Sequence, residues 1–227
     1  DDRREHRAAA TRKRFATLQS WQIDFERLRV VAKIGAGAAG QVYEGEFLGA
    51  RVAIKQLFSS FIDPSDLDEF SREVTLLHKL KHPHVLTFYG ISRRDVYCFI
   101  VTEHCPYALD ALLRGEAPAA RRGTGRAARP PRLSVNDRSL ILFQVALALT
   151  YLHAERVLHH DLKPGNILLD KDLGAKVSDF GLSQLVDDDG GDDGQRRKRS
   201  APRRMSAGAT ACYAAPEMLG VGGGVLG

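Results

Sequence analysis

His159-His160-Asp161-Leu162-Lys163-Pro164-Gly165-Asn166 runs directly into the apolar triplet Ile167-Leu168-Leu169, and Asp179-Phe180-Gly181 follows a short way downstream. Chance does not readily produce that order. Upstream, Ile34-Gly35-Ala36-Gly37-Ala38-Ala39-Gly40-Gln41-Val42 spells a G-x-G-x-x-G-x-V pattern. By itself that pattern is weak evidence, because glycine-rich turns are common in purely structural roles. Its context narrows the choice. A dinucleotide-binding fingerprint opens a helix, whereas alternating strand residues follow here, and a P-loop has Lys after its last glycine where this chain has Gln41. A glycine-rich hairpin remains, whose side-chain-free backbone can lie close to phosphates. Val52-Ala53-Ile54-Lys55 then ends an apolar strand facing that hairpin.

The pattern around these motifs gives the elements that carry them. Leu28, Val30 and Ile34 before the glycines and Val42, Tyr43 and Phe47 after them predict a hairpin, with another strand at Arg51 to Leu57. Asp63-Pro64 supplies an N-cap and a proline at the first helical position, so a helix is expected from there to about Leu80. Leu67, Phe70, Val74 and Leu77 share one of its faces, with Glu73 on the flank, where a carboxylate can reach a neighbouring strand. Strands at Leu86 to Ile91 and Cys98 to Thr102 complete a mostly antiparallel sheet, and a helix begins at Leu109 to Leu113. Residues 116–132, rich in Ala, Gly, Pro and Arg without an apolar period, read as a disordered insertion. Ser139 to His153 is apolar almost all the way round and predicts a helix buried on most sides. Residues 187–204, a run of aspartates followed by basic residues, read as a mobile loop, and 218–227 as a glycine-rich tail.

Composition excludes several classes. The 227 residues carry 33 Lys+Arg against 28 Asp+Glu, a formal charge of +5. The excess sits in three stretches, Arg3 to Arg14, Arg114 to Arg132 and Arg196 to Arg204, which read as solvated runs rather than a nucleic-acid or membrane surface. Cys98, Cys105 and Cys212 have neither a disulfide framework nor metal-ligand spacing, which suits a reducing, intracellular and cytoplasmic setting. The longest apolar stretch, Leu140 to Leu152, is broken by Gln144 and falls short of the roughly 20 residues a bilayer needs, so no membrane span is expected. No secretory signal is visible at the charged N-terminus.

In this order, from Phe25 to Glu217, the motifs resemble those of protein kinases, most closely serine/threonine kinases of the tyrosine-kinase-like group. Trp21-Gln22-Ile23-Asp24-Phe25, with Gly90 after Phe88-Tyr89, tilts the reading to that group. The resemblance implies an α+β, two-lobed fold. A basic extension, 1–20, would precede a small antiparallel-sheet lobe at 21–105 ending in the hinge, and a mainly helical lobe at 106–217 would carry the insertions at 116–132 and 187–204. It also implies transfer of the γ-phosphate of ATP, with magnesium, to Ser or Thr hydroxyls of a protein substrate. Asp161 would accept the hydroxyl proton, and Asn166 and Asp179 would hold the metal. Lys163 would touch the γ-phosphate, and Lys55, oriented by Glu73, would hold the ATP phosphates under the glycine loop. Thr102-Glu103-His104-Cys105 would form the hinge. The main chain of Glu103 and Cys105 would bond adenine, Thr102 would guard the back of the pocket, and Val42 and Ala53 would sandwich the ring. Tyr213-Ala214-Ala215-Pro216-Glu217 matches the end of the activation segment, with Thr210 placed to contact the catalytic loop.

Two departures bear on function. His160 stands where many regulated kinases have an Arg that clamps an activation-loop phosphate, and an imidazole is mostly neutral at pH 7, so activity independent of phosphorylation there is expected. An Asp-x-Trp motif that would anchor the catalytic loop is missing, since the one tryptophan is Trp21. The helical lobe is therefore expected to be incomplete and C-terminally truncated. A non-catalytic nucleotide-binding or signalling module is the alternative reading. Oligomeric state is open.

Overall fold

The computed structural model describes residues 20–37, 40–57, 74–94, 97–116, 130–180, 184–185 and 213. Strands β1 (Leu28–Gly37) and β2 (Gly40–Phe47) form the expected hairpin, paired from Leu28 opposite Phe47 to Gly37 opposite Gly40 with shifts of register between Val30 and Ala32 and between Lys33 and Gly35. A tight turn through Leu48 (φ 51) and Gly49 (φ 80) leads into β3 (Ala50–Leu57). With β4 (Phe88–Arg94) and β5 (Tyr97–Glu103) they make a five-stranded antiparallel sheet, ordered β1-β2-β3-β5-β4.

Strand alternation gives the sheet two faces. On one, Val52, Ile54, Phe99 and Val101 pack with Ile23 and Leu28 into a small core. On the other, Cys98 and Ile100 join the main core, together with Val74, Leu76 and Leu77 of α1 (74–79). Burying each such side chain fully stabilises the fold by about 1.5–3 kcal/mol. The start of the helix expected from Asp63, including Glu73, lies outside the described residues.

Trp21 to Ile23 run beside β4, where Ile91 N–H donates to Trp21 O at 2.9 Å and Ile23 N–H to Ile91 O at 2.7 Å. Gly90 allows that approach, since a Cβ there would lie 2.5 Å from Trp21 O. The Trp21 ring stacks on His78 of α1 at 4.3 Å and meets Phe88 edge-on at 6.3 Å. Strand β4 begins two residues later than the sequence pattern suggests. The preceding segment bonds elsewhere: Leu86 N–H donates to Val177 O and Val177 N–H to His84 O, each at 2.9 Å.

Beyond β5 come β6 (Tyr107–Ala108), α2 (Leu109–Leu113), α3 (Val135–Ala154), β7 (Val157–Leu158), β8 (Ile167–Leu169), β9 (Ala175–Val177) and β10 (Gln184–Leu185). Strands β6, β8 and β9 form one small sheet, and β7 pairs with β10. Helix α3 starts earlier than its apolar run. Ser134 caps it, accepting Asp137 N–H at 3.1 Å while Asp137 accepts Ser134 N–H at 2.8 Å. The expectation that this helix is buried on most sides is corrected. Ile141, Ala148 and Leu152 are buried, whereas Leu140, Leu142, Phe143 and Leu147 are exposed. Among the described residues, its strand neighbours are β7 and β9, and the buried positions share the stripe that meets them. The expected insertion and acidic-basic loop fall almost wholly outside the described residues.

Candidate active site

The loop from His159 to Asn166 joins β7 to β8 and cannot continue as regular strand, because Pro164 lacks an N–H and opens a 3-10 turn over Pro164–Asn166. Within it, Asp161 Oδ2 accepts Lys163 Nζ at 2.6 Å and Asn166 Nδ2 at 2.9 Å. Asn166 Nδ2 also donates to Asp161 O at 2.8 Å. Two donors on one oxygen fix the direction of the carboxylate. The side chains of Asp161 and Lys163 are 12% and 21% exposed, so solvent screens the pair less than it would on the surface.

His159 holds this loop to the segment before Asp179. Burial pushes its imidazole below the ordinary range, against the opposing bond to the Ser178 carbonyl, so the ring is neutral at pH 7. Its Nε2–H donates to Ser178 O at 2.9 Å and Nδ1 accepts Asp161 N–H at 3.3 Å, which settles the tautomer. Phe180, 2% exposed, packs on the ring at 5.1 Å. Ser178 N–H and Oγ–H both donate to Asn166 O at 2.9 Å. The two loops therefore behave as one unit.

Among the positive-φ residues, two flank the chemistry: His160 at 61°, immediately before Asp161, and Asp179 at 64°. Each left-handed non-glycine residue costs on the order of 1 kcal/mol, held here by surrounding bonds. At Asp179 the twist leaves the side chain 43% exposed, with Oδ1 3.5 Å from Lys55 Nζ. Lys55 reaches it from the middle of β3, opposite Val42 of β2 and Ile100 of β5. Ala53 lies opposite Thr102, so the end of β5 adjoins the same face.

At that end Thr102 is buried and its hydroxyl donates to Glu103 O at 3.2 Å. Glu103 N–H donates to Thr87 O at 2.9 Å. Burial pushes the Cys105 thiol up to about 12, with Glu103 adding to it. Of the glycine motif, Gly35 and Ala36 pair across the hairpin with Val42 and Gln41 of β2, Ile34 falls at a break in register just before them, and Gly40 takes φ 140°. Ala38 and Ala39 lie outside the described residues, as do Glu73, Thr210, Gly181 and the residues after Tyr213.

The arrangement brings Lys55 to Asp179, and Asp161 to Lys163 and Asn166, through bonds from separate elements. Sequence reasoning gave no role to Ser178, Thr87 or Lys176. Ser178 and Thr87 act through backbone or hydroxyl bonds that carry no residue signature. Lys176 alternates with buried Ala175 and Val177 in a strand too short to read. The oxygen donors suit magnesium borne on a nucleotide. Among the described residues no group of three His, Cys, Asp or Glu side chains has metal-holding geometry, and such a cation needs one or two protein oxygens beside phosphates.

The sequence pattern of the protein kinase domain matches residues 28–224. The chain is 35% identical over 202 residues to the dual specificity protein kinase shkB of Dictyostelium discoideum, covering 88% of this chain and 28% of that protein. It is 33% identical over 203 residues to the RasGEF domain-containing serine/threonine-protein kinase X of the same organism, covering 89% of this chain and 19% of that protein. It thus spans less than a third of the length of these relatives. With a sheet lobe and a helical lobe meeting at these loops, the chain belongs to the protein kinase domain family.

Proposed function

We propose that this chain is the catalytic core of a protein serine/threonine kinase, using ATP and magnesium, with Asp161 as the base. The observation that carries the reading is the double hold on Asp161 Oδ2 by Lys163 and Asn166, which leaves its other oxygen to take a proton from an acceptor hydroxyl. Asn166 and Asp179 are the metal-holding pair, and Lys55 the phosphate-holding cation, with Glu73 as its orienting partner. Magnesium supplies charge neutralisation between the phosphates when bound; positioning the acceptor falls to Asp161 and Lys163. The main chain at Glu103 and Cys105 holds the base between Val42 and Ala53, in a small lobe taken as 21–105 against a second at 106–217. Lys163 two residues after Asp161 supports Ser and Thr as acceptors, and the dual specificity named for shkB makes tyrosine the acceptor to compare. The tyrosine-kinase-like group is favoured by Trp21 to Phe25 and by Gly90 against the Trp21 carbonyl. No helix among the described residues is long and apolar enough to cross a membrane. Thiols Cys98 and Cys105, both free, support a reducing cytoplasmic setting.

The test is magnesium-dependent transfer of labelled γ-phosphate to Ser/Thr and Tyr substrates by the chain and its Asp161→Asn variant. Transfer to Ser/Thr is expected, falling at least about a hundredfold in the variant while ATP binding persists. Binding of ATP without transfer by the unmodified chain would favour a non-catalytic module.

A further inference from the structure

Lys176 has no part in the roles assigned so far, yet it lies where the strand leading to Asp179 touches the end of β5. Its Nζ stands 3.0 Å from Glu103 Oε1, and the two side chains are 15% and 19% exposed. The same Oε1 accepts Thr87 N–H at 2.7 Å, while Thr87 O accepts Glu103 N–H at 2.9 Å. Glu103 is therefore held by its own N–H and by two donors on its carboxylate. Its main chain, with that of Cys105, is what the proposed function assigns to the base. Lys176 lies three residues before Asp179, on β9 between Ala175 and Val177, which are both fully buried. An ammonium on so fixed a strand is a stiff strut.

We infer that Lys176 is a positioning residue for nucleotide binding: its ion pair with Glu103 sets the residue whose backbone meets the base. The inference rests on the kinase reading and extends it to a side chain outside the site motifs. Removing one partner of a largely desolvated pair leaves the other charge uncompensated. The relaxed Glu103 then turns toward water and carries its carbonyl with it. The phosphate-holding Lys55 is on β3 and keeps its place. The loss should therefore fall on the base and not on the transfer step.

Binding of adenosine and of ATP is measured for the unmodified chain, Lys176→Met, Lys176→Arg, Glu103→Gln and Lys55→Met, with kcat at saturating ATP for each active protein. Lys176→Met is expected to weaken adenosine and ATP alike, on the order of tenfold, the scale of one charge-assisted bond. Its kcat should stay within about twofold, and Lys176→Arg should restore most of the affinity, since a guanidinium keeps the charge. Lys55→Met should weaken ATP and spare adenosine. Should Lys176→Met fail to fold, Glu103→Gln, which keeps an acceptor for Thr87 N–H and removes the charge, decides on adenosine and ATP affinity alone. Adenosine binding as tight in the folded variants as in the unmodified chain overturns the positioning role and leaves the kinase reading standing. An unmodified chain that binds neither adenosine nor ATP overturns both.

Discussion

Two thiols illustrate how burial governs chemistry at single residues. Burial pushes the Cys98 thiol up to about 11 and that of Cys105 up to about 12, so at pH 8 almost none of either is thiolate, the reactive form. Native protein is expected to leave both unmodified by a disulfide exchange reagent at pH 8, while protein in denaturant reacts at once; peptide mapping after quenching reads each site. The same effect explains what the sequence did not disclose. Asp161, Lys163, Asn166 and Asp179 were legible as residue types in a telling order. His159 stood in that stretch without a role, because its neutrality comes from burial, with Phe180 packed on the ring, and its orientation from the Ser178 carbonyl, both brought to it from downstream. Lys176 was silent for a like reason, its partner lying far back in the chain at Glu103.

At the level of elements, hydrophobic alternation located β1 to β5 well, and Gly90 accounts for a close approach of two segments. A Cβ there would stand 2.5 Å from Trp21 O and 2.8 Å from the Ile23 side chain, and the first contact is with backbone, which cannot simply rotate away. Gly90→Ala is expected to destabilise the protein by about 1–3 kcal/mol by overpacking. It should also loosen Trp21 from His78, seen as a red shift in emission from the molecule's one tryptophan. A chemical denaturation curve with unchanged emission would contradict that account. Boundaries were less legible. Strand β4 starts late because His84 to Leu86 bond to β9, and α3 starts early because Ser134 and Asp137 cap each other. Strands β6, β7 and β10 have two residues each, too few for any period to show.

Across the whole molecule, histidines tie stability to pH. Burial is the main cause of depressed imidazole pKa values at His82, His104 and His159. Each takes up a proton more readily in the unfolded chain, so that chain binds more protons as pH falls below about 6.5, and stability drops with it. The urea midpoint should be level between about pH 7 and 8 and decline from about pH 6.5 downward, and His159→Gln should flatten the decline by its share. A midpoint that rises on acidification from pH 7 to 6 would contradict the burial argument.

The join between the sheet lobe and the helical lobe has one further property. Leu86 and His84 bond to Val177 through amide and carbonyl groups, at 2.9 Å each. Every amino acid but proline carries both groups, so substitutions along this seam can alter its packing without unpicking it. Beside it, the Lys176 to Glu103 contact depends wholly on side-chain identity. Mutational drift can therefore retune how firmly the strand before Asp179 grips the end of β5, while the lobes stay stitched together by a thread that the genetic code scarcely touches.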